Sequence, residues 1–296
     1  MRTVAVTGAS GLIGRALTSA LEQRGDRVVP VGRRLVDGGV YWDPSAGQLD
    51  ESRLSGVDAV VHLAGESIDG RWTAAKKARI MESRVAGTEL LAGALASLDR
   101  PPEVVVSASA VGIYGDRGEE ELTEASPPGT GFLADVCKGW EAAAAPMASS
   151  ETRLALVRTG IVCTADDGAL RRMLTVTRLG LGGRLGSGHQ WWPWITLRDQ
   201  VRAILHLLDV PLSGAFNLVA PGCCRNAEFV RLLASAVRRP AVLPAPALAL
   251  RLVLGEMADG LLLGSARVRP VRLEESGFEF LDSDWAPAIR QLLGPG

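Results

Sequence analysis

The chain has 296 residues, enough for one large α/β domain and a smaller second one. Apolar residues make up 47% and charged residues 22%, and 32 Lys and Arg against 33 Asp and Glu leave a net charge of −1 with no block of like charge. That balance gives no electrostatic support to a general affinity for nucleic acid or for acidic membrane surfaces.

Thr3 to Thr7 reads as a buried strand that runs straight into a glycine loop, which is not the pattern of a signal peptide. Leu12 to Arg24 then carries apolar residues at helical spacing. Further strands are expected at Val28–Val31, Ala59–Leu63, Val104–Ser107 and Leu154–Val157. A second helical stretch, Arg79 to Leu98, is stopped by Pro101-Pro102. Short apolar runs alternating with helical segments predict βαβ units and a doubly wound parallel sheet, with helices on both faces. After Thr159 the character changes. Gly180-Leu181-Gly182-Gly183 and Gly186-Ser187-Gly188 are glycine-rich, and Trp191, Trp192 and Trp194 follow. Asp199 to Leu208 reads as a helix capped by Asp199, and Ala215–Val219 as a strand returned to the main sheet. Ala241 to Gly264 is apolar, but Arg251, Glu256, Asp259 and two prolines interrupt it; a core helix is expected there rather than a membrane span. A short strand is expected around Phe278–Phe280. The domains implied are 1–160, completed by a strand near 215–219, and a smaller α/β domain over 161–296 that covers a substrate.

The four cysteines, Cys137, Cys163, Cys223 and Cys224, show no metal-ligand spacing, so no metal is expected and a reduced cytoplasmic setting is the simpler reading.

The loop Gly8-Ala9-Ser10-Gly11-Leu12-Ile13-Gly14 lies between strand and helix, the context that makes a glycine triplet a dinucleotide site. Gly8 permits the tight turn, Gly11 lets the backbone approach a pyrophosphate, and Gly14 allows close helix–strand packing. The first amides of the helix, at Leu12 and Ile13, face the phosphates. The second strand ends in Arg33 and Arg34, where an NAD protein places an acid for the ribose hydroxyls. Two arginines suit the 2′-phosphate of NADP instead. Leu63, Ala64 and Gly65 let backbone lie against the adenosine ribose, and His62 reads as a packed, hydrogen-bonded residue.

Together Thr7-Gly8-x-x-Gly11-x-x-Gly14, Asp58…His62-Leu63-Ala64-Gly65 and Ser109…Tyr114-Gly115 resemble the extended short-chain dehydrogenase/reductase superfamily. His62 to Ile68 with Arg71-Trp72, Ser83-Arg84-Val85, Ser107 to Asp116, Trp140-Glu141, Arg158-Thr159-Gly160, Pro193-Trp194-Ile195 and Phe216-Asn217 narrow the resemblance. They are similar to its atypical nucleotide-sugar-epimerase-like family with an uncharacterised C-terminal domain. The resemblance implies a Rossmann fold, NADP(H), a small-molecule substrate and, through Arg79–Leu98 and Leu133–Ala145, a homodimer.

One element of that superfamily is missing. Its catalytic pair is Tyr-x-x-x-Lys on one helix face, and anchoring on Trp140-Glu141 puts Leu133 and Cys137 at the two positions. Lys138 is one residue off, a rotation of about 100°. Of the two tyrosines, Tyr41 and Tyr114, neither opens the motif.

The remaining candidates sit near strand ends. Ser109 best matches the catalytic serine that hydrogen-bonds the reacting oxygen; a serine that satisfies strand-end backbone is the competing reading, and it fits Ser107 better than Ser109. Glu66 serves as acid or base if burial raises its pKa; an exposed loop carboxylate is the competing reading. Arg84 can supply the positive charge of the missing lysine or form a structural ion pair. Tyr114 is a further proton donor or a packing residue. Two of the three tryptophans can stack on a ligand or seal an interdomain seam, and Arg158 and Arg184 can meet a ligand phosphate. Two functions remain open: an NADP(H)-dependent oxidoreductase or epimerase-like enzyme with altered proton handling, and a non-catalytic NADP(H)-binding sensor or assembly partner.

Overall fold

The computed structural model describes residues 1–34 and 37–294. Its first half follows β1 (Thr3–Thr7), α1 (Leu12–Gln23), β2 (Arg27–Gly32), β3 (Val40–Asp43), β4 (Gln48–Leu49), β5 (Ala59–His62), α2 (Ala74–Ala96), β6 (Val104–Ala110), β7 (Glu121–Leu122), α3 (Phe132–Ala144) and β8 (Arg153–Thr159). The second half continues with β9 (Ile161–Cys163), α4 (Gly168–Arg178), β10 (Trp191–Trp192), β11 (Trp194–Thr196), α5 (Leu197–Asp209), β12 (Gly214–Leu218), β13 (Cys224–Arg225) and α6 (Asn226–Ala236). It ends with α7 (Ala247–Leu254), β14 (Arg267–Val268), α8 (Val271–Glu275) and α9 (Trp285–Leu293).

Eight strands form one sheet in the order β12-β8-β6-β5-β1-β2-β3-β4. All neighbours are parallel except β3 and β4. This is a Rossmann fold. Its interior strands are almost continuous apolar runs because both faces are covered. Val4, Val6, Val61 and Val106 pack with Leu17, Leu21, Ile204 and Leu207 from α1 and α5. The alternate residues Ala5, Val29, Val60 and Val105 meet Leu91 and Leu95 of α2 and the ring of Trp42. The strand order reverses between β1 and β5, so the crevice that binds ligands in such sheets opens at Gly8 and Leu63.

The later residues build a second core from α4, α6 and α9 around Cys163, Leu174, Trp192, Trp194, Phe229 and Trp285. Phe229 stacks on Trp285 with ring centroids 3.9 Å apart, and Trp194 meets the same indole edge-on at 5.0 Å.

Three expectations for this half need correction. Phe278–Phe280 is not a strand: the two rings meet edge-on, and Phe278 sits beside His206 and beneath the Arg202 guanidinium, so side-chain packing rather than a ladder holds it. Thr196, not Asp199, caps α5, accepting from the Asp199 amide. Asp199 instead lies wholly buried, accepting from the Leu281 and Asp282 amides and pairing with Arg202 at 2.7 Å. Nor is Ala241 to Gly264 one core helix, because α7 buries none of its residues and the separate helical turns over Ala258–Leu263 bury only Ala258. Pro244 and Pro246 delay the helix start, and Gly255 ends it after eight residues. Among the described residues, no helix is long and apolar enough to cross a membrane.

Candidate functional site

The glycine loop is shaped by close backbone contacts. Gly8 adopts φ +68°, and a side chain at Gly14 would collide with the Gly8 carbonyl and the Ala9 backbone. The Gly11 amide closes the turn on the Gly8 carbonyl at 2.9 Å. Gly11 then leads α1 without a side-chain cap, and no acidic residue stands in the first turn. The leading amides of Leu12 and Ile13 are thus left to an anion, in the field of the helix N-terminus. Beside the loop, the Thr7 hydroxyl accepts from the amides of Leu63 and Ala64, which holds the Leu63-Ala64-Gly65 turn against β1.

His62 is a packing residue, as expected. It is fully buried between the hydroxyls of Thr7 and Thr88, at 2.8 and 3.0 Å, and burial lowers its pKa to about 4. Asp58 lies at the opposite end of β5, accepting from the Thr3 amide, and has no place in the crevice.

Arg33 and Arg34 are exposed at the end of β2, and the charge of Arg33 reaches Asp43 and Glu66. Ser10 and Gly11 are likewise exposed. Ser107, on β6 opposite His62, is fully buried with its Oγ lacking a protein partner. A glycine cradle without room for a Cβ, uncapped helix amides, an orphaned hydroxyl and two solvent-facing guanidinium groups together fit a phosphorylated dinucleotide. The described residues contain no cluster of metal-ligating side chains.

Glu66 is corrected by its surroundings. Lys76 bonds its carboxylate at 2.8 Å, Arg79 stands 3.8 Å away, and these cations hold its pKa below the usual range. The side chain is 37% exposed. It is therefore an ionised loop carboxylate, not an acid raised by burial. Arg84 is half-buried on α2; it donates to the carbonyls of Glu66 and Ile80 and lies 4.8 Å from the Trp140 ring. Its guanidinium also fills the space beside Gly65.

Ser109 belongs to a chain of buried polar groups that crosses the sheet edge. Its hydroxyl donates to Glu141 at 2.6 Å, and Arg158 clasps the same carboxylate with two bonds of 2.9 Å. Arg158 also donates to the Tyr114 hydroxyl, which donates in turn to Asn217 at 2.7 Å. Burial opposes the charge on Arg158, but the bonds to Glu141 outweigh it and raise its pKa. Arg158 is therefore committed to Glu141 rather than to a ligand. Tyr114, offered above as a proton donor, is wholly buried with both hydroxyl bonds inside the protein, and burial pushes its pKa up. It braces the strand ends and opens onto no crevice. The sequence reading missed the Glu141–Arg158 pair. Its signal was a lone arginine at the end of an apolar strand, Leu154 to Val157, because such a charge needs a buried partner.

Leu133 and Cys137 stand where the missing pair would, both against Gly112. Leu133 belongs to an apolar cluster with Trp72, Phe132, Met257 and Leu261. Burial pushes the Cys137 thiol up to about 11, so it stays neutral beside Ser109 and Arg84. Lys138 points to solvent and pairs with Asp135 at 2.6 Å. The tryptophans seal a seam. Trp192 and Trp194 are buried, their indole N–H groups donating to the Leu262 and Gly222 carbonyls. Trp191 has a guanidinium from Arg225 and one from Arg267 within 5.1 Å of its ring, and it donates to Glu119. Arg184 is exposed.

Known proteins match over nearly all of the chain. The model of the NAD dependent epimerase/dehydratase family matches residues 4–218, and a domain of unknown function, DUF1731, matches residues 245–292. The epimerase family protein Mb2239 of Mycobacterium bovis is 43% identical over 94% of this chain and 93% of its own. A crystal structure of the human epimerase family protein SDR39U1 with NADPH superimposes with a TM-score of 0.91, at 34% identity and 98% coverage of both chains. A nucleoside-diphosphate sugar epimerase from Corynebacterium glutamicum is 36% identical with a TM-score of 0.83. The match covers 99% of this chain and 58% of that longer one. The chain belongs to the NAD dependent epimerase/dehydratase family, in its SDR39U1-like branch with the DUF1731 C-terminal domain.

Proposed function

We propose that this protein is an NADP(H)-dependent oxidoreductase or epimerase-like enzyme acting on a small carbonyl or nucleotide-sugar-like substrate. The observation that carries the reading is the uncapped, acid-free start of α1 over a glycine cradle, with Arg33 and Arg34 at the neighbouring strand end. NADPH in the crystal structure of human SDR39U1 supports it.

In this reading Gly8, Ser10, Gly11, Leu12, Ile13 and Gly14 present backbone to the pyrophosphate, and Arg33 and Arg34 hold the 2′-phosphate. Leu63, Ala64 and Gly65 lie along the adenosine ribose, with the free Ser107 hydroxyl nearby. NADP(H), when bound, supplies hydride chemistry. Ser109 orients the reacting oxygen: its proton is already given to Glu141, so its lone pairs accept from a substrate hydroxyl. Arg84 supplies positive charge in place of the absent lysine. The free cysteines fit a cytoplasmic setting. A homodimer through α2 and α3 is part of the proposal, and sedimentation of the purified chain tests it.

Fluorescence titration with NADPH and NADH tests the cofactor, and an assay across aldehydes, ketones and nucleotide sugars tests the chemistry. Tighter binding of NADPH, reduced about ten-fold or more in Arg33→Ala/Arg34→Ala, is expected. Equal affinity for both nucleotides would refute the 2′-phosphate assignment. One observation favours a second reading, a non-catalytic sensor: Leu133 and the neutral Cys137 fill the usual catalytic positions with apolar packing. Distinct effects of NADP and NADPH on protein shape, without turnover, are the outcome that favours it.

A further inference from the structure

One helix of the second half of the chain, α4, reaches across the crevice. α4 starts beside the glycine loop: the Leu12 side chain lies 3.3 Å from where a Cβ of Gly168 would stand. Arg15, one turn into α1, donates to the Ser10 carbonyl at 2.6 Å and to Asp167, the N-cap of α4, at 2.9 Å. On the other lip, Arg172 of α4 pairs at 2.8 Å with Asp69, six residues beyond Leu63 at the end of β5. The two ion pairs thus tie α4 to the segments that follow β1 and β5, the two strands flanking the switch point.

We propose that α4 is a latch over the cofactor crevice, closed by Arg15–Asp167 and Arg172–Asp69, and that its opening sets the rate at which NADP(H) leaves. This rests on the cofactor reading above. All four side chains are between 48% and 68% exposed, so the latch is held by weak, salt-sensitive contacts rather than by packing. A device of that strength delays exit without locking it. A reaction that consumes one NADPH per turnover needs the latch to open each time, whereas one that returns its hydride does not.

The test is stopped-flow release of NADPH from the intact protein, chased with excess NADP, at low and high KCl. Asp167→Asn keeps a good cap while removing the charge, and Asp69→Asn breaks the second pair. Release is expected to quicken about two- to five-fold in each variant and about ten-fold in the double variant. KCl should quicken release from the native protein and have much less effect on the double variant. Arg172→Asp should quicken release, and adding Asp69→Arg should slow it again. Equal release rates for the native and double-variant proteins at both salt concentrations overturn the latch, with the equilibrium titration still showing NADPH bound. Absence of NADPH binding in that titration removes the cofactor reading, and the latch with it.

Discussion

The glycine loop and the Ser109–Glu141–Arg158 network both lie at the carboxyl ends of strands in one sheet, yet they are built differently. At the loop, backbone meets backbone: Gly14 abuts the Gly8 carbonyl and Thr7 holds the next turn, so the shape follows from a few adjacent residues. In the network, Ser109, Arg158 and Asn217 stand abreast on the paired strands β6, β8 and β12, and Glu141 of α3 and Tyr114 just beyond β6 join them through charge and hydrogen bonds. Damage to the first should fall on cofactor binding. Damage to the second should fall on folding.

The largest effect is expected from Glu141→Ala. Arg158 and Glu141 are only 10% and 12% exposed in their side chains, so removing the carboxylate strands a buried cation. Urea unfolding should register a loss of about 3–5 kcal/mol. Because the Ser109 proton and the Tyr114 hydroxyl depend on the same pair, the loss in Glu141→Ala/Tyr114→Phe should be smaller than the sum of the single losses. Additive losses would mean the groups do not act as one network.

Next comes His62, which bonds Thr7 beside the loop and Thr88 of α2. Its ordinary value of 6.5 falls to about 4 in the folded state through burial. Between those values the unfolded chain binds a proton that the folded chain refuses. The stabilisation is therefore complete above pH 6.5, erodes as pH falls, and is gone below about pH 4, a span of about 3 kcal/mol. Unfolding free energies measured across that window should slope accordingly, and His62→Gln should flatten the slope. An unchanged slope in the variant would assign the acid sensitivity to other groups.

Gly14→Ala sharpens the contrast from the loop side. The added methyl group meets the Gly8 carbonyl and the Ala9 backbone, neither of which can turn away as a side chain does. About 1–3 kcal/mol of stability should be lost. NADPH affinity should fall much further than in Tyr114→Phe, which leaves the loop intact. Similar affinity losses in the two variants would erase the distinction between loop and network.

This difference also explains what could be read beforehand. Gly8, Gly11 and Gly14 announce themselves at fixed spacing, and the strands from Thr3 to Val157 show as apolar runs because both sheet faces are buried. Glu141 and Arg158 are 17 residues apart and carry no spacing rule; only the fold brings them together. Asp199 misled for a related reason. Its position suits a helix cap, but its true partners are the backbone amides of Leu281 and Asp282, more than eighty residues away. The Glu66 pKa depended on Lys76 and Arg79, one helix onset later, which a loop reading cannot weigh.

The segment before Gly255 misled in the opposite direction, and it carries the smallest expected effect. Apolar composition usually means burial, which is why Ala241 to Gly264 reads as a core helix in the sequence. In the folded chain Leu248 and Leu252 are 68% and 69% exposed, and Val253 is 70% exposed. A helix of eight residues is too short to hold itself by propensity alone. It is instead tethered at its end, where Arg251 pairs with Asp259 and the Gly255 amide bonds the Arg251 carbonyl. Leu252→Glu should therefore change the unfolding free energy of the monomer by less than about 0.5 kcal/mol. Leu17→Ala, in the fully buried face of α1, should cost about 2–5 kcal/mol. If Leu252→Glu instead destabilised the protein by a comparable amount, the helix would have a covered face in solution, and the exposure of Leu252 in the single chain would not describe its working state.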